Sequence, residues 1–157
     1  MSADSAKYAP RIVVGVDGSP SSRAALRWAV GQAALTGGAV HAVMAWHVPV
    51  ALSRSVWAPI SVDEWDNLVE DTHKALDAVI SEEVQPTDRH WVTTHVVNGH
   101  PAEVLLDAAD DADLLVVGSR GHGGFADALL GSVGQYCVHH AHCPVLIMRG
   151  EPRHAAA

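Results

Sequence analysis

Five short apolar runs, each parted from the next by a stretch with helical spacing, constrain this chain more than any other feature. Strands that alternate with helices pair in parallel, because each right-handed crossover brings the chain back to start the next strand in the same direction. A parallel strand is covered on both faces, so it reads as continuous apolar sequence. Arg11 to Asp17 (RIVVGVD) is the first run, Val40 to His47 the second, His90 to Asn98 the third, Asp113 to Gly118 (DLLVVG) the fourth and Pro144 to Arg149 (PVLIMR) the fifth. After the first, Ser19, Pro20 and Ser21 start a helix that Ala24, Ala25, Trp28, Ala29 and Gln32 continue and that Gly37 and Gly38 stop. A loop with two prolines follows from Val48 to Ser61, and further helices are expected over about 62–84, over Pro101 to Asp110, and up to about His142. The expected class is α/β: an open, doubly wound five-stranded parallel sheet with helices on both faces, in one of the two common strand orders.

The chain has 157 residues and no internal repeat, which leaves room for one domain, 10–149, between tails 1–9 and 150–157 expected to be disordered. A chain of this length buries roughly two thirds of its unfolded surface, so its core needs neither disulfides nor metal. Cys137 and Cys143 are too few for a disulfide framework. The balance of 18 acidic against 10 basic residues, net charge -8, argues against duplex nucleic acid or an anionic membrane as partner, since both need a concentrated Lys/Arg face. Lys7 and Lys74 are the only lysines, so a phosphate site has to rest on backbone donors. No apolar run approaches the ~18 residues of a membrane span, and no signal core opens the chain, so the expected compartment is the cytoplasm.

If the first and fourth strands are neighbours, ligands settle above their carboxyl ends, where Gly15 to Ser19 faces Gly118 to Ser132. Gly118-Ser119-Arg120-Gly121-His122-Gly123-Gly124 puts four glycines into seven residues between a strand and a helix. Such a loop presents N–H groups to an anion with no Cβ in the way. Gly131 and Ser132 can add further N–H groups and a hydroxyl. Asp17 ends the first strand where a ribose or a phosphate-bound cation would lie, and it also suits a turn or helix cap in Asp17-Gly18-Ser19-Pro20. Ala45 and Trp46 stand at a height on the second strand that could meet a base.

Other chemistries fail on spacing. A dinucleotide fingerprint needs G-x-G-x-x-G after the first strand, a Walker loop needs Gly-Lys-Ser/Thr, and a nucleophile elbow needs G-x-S-x-G. The chain offers Gly15-Val16-Asp17-Gly18, Gly131-Ser132-Val133 and Gly118-Ser119-Arg120-Gly121. A phosphoacceptor receiver needs paired acids where Asp17 stands alone. His139, His140, His142 and Cys143 have metal-ligand side chains but scatter around a helix end, where histidine also suits the negative dipole. Asp110, Asp111 and Asp113 read as a solvated helix-to-strand junction.

The chain resembles the universal stress protein family from Arg11-Ile-Val-Val-Gly-Val-Asp17-Gly-Ser through Asn98-Gly-His-Pro-Ala to Cys143-Pro-Val-Leu-Ile147. Its sharpest match is the family's ATP-binding pattern of Gly, two residues, Gly, nine residues, Gly and Ser or Thr, which Gly118, Gly121, Gly131 and Ser132 satisfy with positions 122–130 as the nine. The resemblance implies the strand order 3-2-1-4-5 and a Rossmann-like, ATP-binding member of the family. On that analogy Gly15, Val16 and Asp17 line base and ribose, and Ala45 meets the adenine edge. Gly118, Gly121, His122, Gly131, Ser132 and Val133 hold the phosphates, and Arg120 adds charge. One departure is Gly134, where ATP-binding relatives usually carry Ser or Thr; a lost hydroxyl there is worth about 1 kcal/mol, or roughly fivefold in affinity. The implied function is a stress-response regulator that binds ATP with Mg. Cyclic AMP binding, slow Mg-dependent ATP hydrolysis, and a nucleotide-free interaction protein using the Trp57 to Trp65 loop remain the alternatives. The resemblance also implies a homodimer through the last strand, Val145, Leu146, Ile147 and Met148, whose apolar edge invites pairing.

Overall fold

The computed structural model describes residues 8–48, 60–121 and 130–150. Most of both expected tails, most of the loop between Val48 and Ser61, and His122 lie outside the described residues.

Five parallel strands form one sheet in the order β3-β2-β1-β4-β5. They are β1 (Arg11–Gly15), β2 (Ala39–Trp46), β3 (Val92–Asn98), β4 (Leu114–Gly118) and β5 (Val145–Met148). The described helices are α1 (Pro20–Thr36), α2 (Val62–Glu83), α3 (Pro101–Ala108) and α4 (Ser132–His140). β1 lies at the centre, with Val13 opposite His41 on one side and Leu115 on the other.

The period of two along each strand divides the core into two layers. Ile12, Val14, Val40, Ala42, Met44 and Val116 face α1 and α2, where they meet Leu26, Ala29, Leu76 and Ile80. Val13, Val43, Leu115 and Val117 face α3 and α4, where they meet Val104, Leu105 and Cys137. Each fully buried aliphatic side chain contributes about 1.5–3 kcal/mol. The alanines of α1 carry no bulk, so this helix can lie close on the sheet with Ala25, Ala29 and Ala33 fully buried.

Capping fixes where the helices begin. Ser19 accepts the Ser22 N–H, Pro20 presets the first turn of α1, and Gly37 ends it in the left-handed conformation with φ 72°. Ser61 and Glu64 form a reciprocal capping box at the start of α2. The far end of α2 is tied to α1 through Glu83, which pairs with both Arg23 and Arg27.

Some boundaries differ from the sequence reading. β1 stops at Gly15, two residues before Asp17, because the chain turns away after the Val16 N–H bonds Val43 O. His90 and Trp91 are not in the third strand: Pro86 starts a 3-10 helix, Pro86–Trp91, whose tight turns carry the chain to Val92 before pairing begins. α3 ends at Ala108, and α4 ends at His140 because Ala141 is already extended.

Candidate functional site

β1 and β4 are adjacent, yet α1 leaves β1 over one face of the sheet and α4 follows β4 over the other. Above the carboxyl ends of these strands no helix among the described residues fills the space, and a cavity of about 270 Å³ opens there.

Its walls divide by chemistry. Val43 and Ala45 of β2, Val117 of β4, and Pro101 and Leu105 of α3 give an apolar end. Asp17, Ser22, Arg120, Gly121 and Ser132 give a polar end, beside Gly118, Gly131, Val133 and Gly134. Gly15 and Val16 complete the β1 side. A flat apolar group with a polar or charged extension fits such a division.

The polar end is built by the packing of the glycine loop on α1. A Cβ on Gly118 would stand 2.4 Å from Ser21 Oγ and 2.8 Å from the Ser22 nitrogen, so only glycine lets β4 and α1 approach this closely. Past that contact, Ser21 Oγ donates to Arg120 O at 2.7 Å and Ser19 Oγ donates to the same oxygen at 3.2 Å. The Ser119 N–H donates to Met148 O and the Gly131 N–H to Ser119 O, both at 2.7 Å. The two ends of the loop are therefore fastened to α1, β5 and each other. The two serines that hold Arg120, Ser19 and Ser21, are both buried.

Asp17 serves the turn as well as the cavity. Its Oδ1 accepts the Ser19 N–H at 2.9 Å and its own N–H donates to Ser22 Oγ at 3.3 Å. A Cβ on Gly121 would sit 2.7 Å from Asp17 Oδ2, which places the carboxylate directly under the glycine loop.

Helix N-termini supply the field. Ser22 lies in the first turn of α1, Pro101 opens α3, and Gly131 and Ser132 open α4, and all of them line the cavity. Each helix start carries roughly half a positive charge and unsatisfied N–H groups. Gly131 caps α4 with no side chain, so Ser132, Val133 and Gly134 begin that helix with N–H groups that no cap residue takes up. An anion at the polar end meets these donors with little help from lysine.

Of the residues singled out in the sequence, Gly15, Val16, Asp17, Ala45, Gly118, Arg120, Gly121, Gly131, Ser132 and Val133 all line the cavity. Trp46 does not: the pleat turns it to the opposite face, where its ring meets Trp65 edge-on at 4.7 Å between centroids. Sequence reasoning missed Ser22, Val43, Pro101, Leu105 and Val117. Val43 was within reach, since it stands two residues before Ala45 on the same face. Pro101 and Leu105 are spaced i and i+4, but only the tertiary packing of α3 brings that face to the cavity. Among the described residues no three metal-ligating side chains gather, and His140 of the histidine cluster stacks on Tyr136 instead. At the other junction, Asp111 pairs with Arg11, and Asp113 accepts from Tyr8 and from the Arg11 N–H.

A parallel sheet in this order, with a glycine-lined cavity at the point where the winding reverses, defines an α/β protein of the open, doubly wound class. The universal stress protein family model matches residues 9–149, and the chain belongs to that family. Universal stress protein Rv1996 of Mycobacterium tuberculosis is 39% identical over 144 residues, covering 90% of this chain and 44% of that protein. The chain spans about half the length of the curated relatives it matches. Among solved structures, universal stress protein UspA from Lactobacillus plantarum superposes with a TM-score of 0.69 at 26% identity, over 89% of this chain and 97% of that one. A universal stress protein in complex with cAMP superposes with a TM-score of 0.56 at 26% identity, over 90% of this chain and 98% of that one.

Proposed function

We propose that this chain binds an adenine nucleotide in the cavity between β1 and β4 and acts as a cytoplasmic, nucleotide-responsive stress regulator. The observation that carries the reading is the meeting of a glycine loop and two helix N-termini, those of α1 and α4, at one end of a cavity whose other end is apolar. The base lies among Val43, Ala45, Pro101 and Leu105, and the phosphates lie under Gly118, Gly121, Gly131 and the first N–H groups of α4, with Arg120 adding positive charge. His122, by its place in the motif, is a further phosphate-binding residue of this proposal. ATP is the preferred ligand, because the motif spacing matches a triphosphate-binding loop. Asp17 is the one carboxylate among the described cavity residues, and it is placed to hold a Mg ion, which neutralises phosphate charge.

Binding rather than turnover follows from the same residues. Asp17 is held through Oδ1 by the Ser19 N–H and is assigned to Mg in this reading, and Ser22 Oγ accepts the Asp17 N–H and donates to Ser19 O, so no general base is assigned. Hydrolysis at this site is slow at most.

Cyclic AMP is the second reading. Gly134 brings no hydroxyl to the phosphate end, which weakens the case for three phosphates, and a relative of the same fold is known in complex with cAMP. β5 is the end strand of the sheet among the described residues, and Val145 to Met148 along it are half-buried, which supports a homodimer joined through this edge.

Thermal unfolding with added nucleotide tests the reading. Ligand at 100 times its Kd stabilises by about 2.7 kcal/mol, or roughly 5–10 °C for a domain of this size. Such a shift with ATP or cyclic AMP, absent with ribose 5-phosphate, is expected; an unmoved Tm with every adenine nucleotide contradicts it.

A further inference from the structure

His41 and His95 meet across the β2–β3 pair and are not among the residues that line the cavity. The register sets His41 opposite Thr93 and His95 opposite Val43, so the two imidazoles are diagonal neighbours on the face that carries Val13 and Val43. His41 Nδ1 and His95 Nε2 are 2.9 Å apart. The ring centroids are 5.1 Å apart and the ring planes differ by 18°. That centroid separation is close to the N···N distance plus two ring radii, so the nitrogens point at each other almost in plane. The contact is a head-on hydrogen bond.

Such a bond has a fixed proton inventory. One of the facing nitrogens must carry a hydrogen and the other must not, and a neutral pair satisfies this with one tautomer of each ring. A first added proton goes to an outer nitrogen and leaves the bond charge-assisted. A second puts a hydrogen on both facing nitrogens and sets two cations in contact, and the bond is lost. A metal does not fit between them as they stand, because two Zn–N bonds of about 2.0 Å each exceed the gap in line, and no third ligand lies near among the described residues.

The surroundings favour the neutral state. Arg11, from the start of β1, is held by Asp111 Oδ2 at 3.1 Å and by Ala108 O at 3.4 Å. Partial burial foremost, then the Arg11 guanidinium and His95, push the His41 pKa below the ordinary histidine value, while Asp111 from the turn after α3 opposes them. The unfolded chain therefore binds the proton more readily than the folded one. The stability linked to His41 is complete above about pH 6.5 and is lost as pH falls from there through its lower folded midpoint.

We infer that the His41–His95 pair is an acid-sensitive latch that fastens the edge strand β3 to β2 and opens when both rings are protonated. β3 is the end strand of the described sheet, held to β2 through seven paired residues, and four of its seven residues are exposed, so no second strand among the described residues backs it when the latch fails.

Imidazole NMR and amide hydrogen exchange of the whole chain between pH 8 and pH 4.5, without nucleotide, test the latch. The expected result is a single hydrogen on the facing nitrogens at pH 8 and a His41 midpoint below that of free histidine. After correction for intrinsic rates, the β3 amides that pair with β2 then lose about tenfold in protection relative to β1 across that transition. In His95→Gln the side-chain amide can donate or accept, so the protection of β3 no longer depends on pH. Two rings that titrate independently at the ordinary value overturn the inference, and so does a β3 that loosens with acid equally in His95→Gln. Should that variant not fold, the wild-type titration alone decides.

Discussion

Gly118→Ala changes one hydrogen for a methyl at the point where β4 passes under α1, and the cost can be worked from the contact. The new Cβ would stand 2.4 Å from Ser21 Oγ, 2.8 Å from the Ser22 nitrogen and 2.9 Å from the Ser21 carbonyl carbon. Two of those three atoms are backbone, and both serines are buried, so no side-chain rotation relieves the clash. The start of α1 has to retreat, against the bonds that Ser19 and Ser21 make to Arg120. Overpacking of this kind costs about 1–3 kcal/mol. A loss of about 2 kcal/mol lowers the midpoint of a domain this size by roughly 4–8 °C. The control is Gly31→Ala in the exposed interior of α1, where a Cβ meets nothing within 4 Å. There the same methyl stabilises by roughly 0.5–1 kcal/mol, since glycine is the poorer helix former. Urea and thermal unfolding followed by circular dichroism should give changes of opposite sign for the two variants. If Gly118→Ala falls within about 0.5 kcal/mol of the parent, the close approach of loop and helix is not what holds the polar end.

Three further substitutions or treatments bear on separate parts of the account. In Gly134→Ser the added Cβ meets Leu130 Cδ1 at 2.8 Å, the movable end of a side chain, so the variant should fold and bind ATP about fivefold more tightly; calorimetry showing equal or weaker binding would remove Gly134 from the phosphate end. Burial works to raise the Glu83 pKa, but hydrogen bonds from Arg27 and Arg23 outweigh it and hold it below the usual value. The stability Glu83 lends is therefore complete above its unfolded pKa of about 4.5 and lost as pH falls below it, so Glu83→Gln should flatten the acid limb of urea stability between pH 6 and pH 3. An acid limb of unchanged slope would rule the pairing out as a source of pH dependence. Burial pushes the Cys137 thiol up to about 11, whereas Cys143 is raised less and is partly exposed, so a thiol reagent at pH 8 should label Cys143 alone in the folded chain. Mass spectrometry finding Cys137 modified first would show that α4 does not stay closed over it.

Most of the architecture was legible because the decisive signals are local. Continuous apolar runs such as Leu114 to Val117 mark strands buried on both faces, and Ser19-Pro20 and Gly37 punctuate α1 through backbone chemistry that any neighbouring structure would leave unchanged. The glycine loop was read from the residues themselves, the strand order came from a resemblance, and the sheet has that order. The start of β3 was not legible: His90 and Trp91 extend an apolar pattern into Val92, and nothing in that pattern reports that Pro86 sets 3-10 turns ahead of it. Ten of the sixteen cavity residues were visible, because they cluster in two short stretches at strand ends and in the glycine spacing, all local in the chain. Pro101, Leu105 and Ser22 were not, since they reach the site only through the way α3 and α1 pack on the sheet. The His41–His95 contact is of the same kind, a product of register between strands far apart in the chain.

Calorimetric titration of nucleotide-free protein with ATP, ADP and cyclic AMP, with and without Mg, tests the central claim most directly. Saturable binding of ATP or cyclic AMP near one per chain is predicted, together with its collapse in Gly121→Val, whose Cβ enters the space of Asp17 Oδ2 at 2.7 Å. Folded, nucleotide-free protein that takes up none of the three would contradict the claim that this cavity is an adenine-nucleotide site.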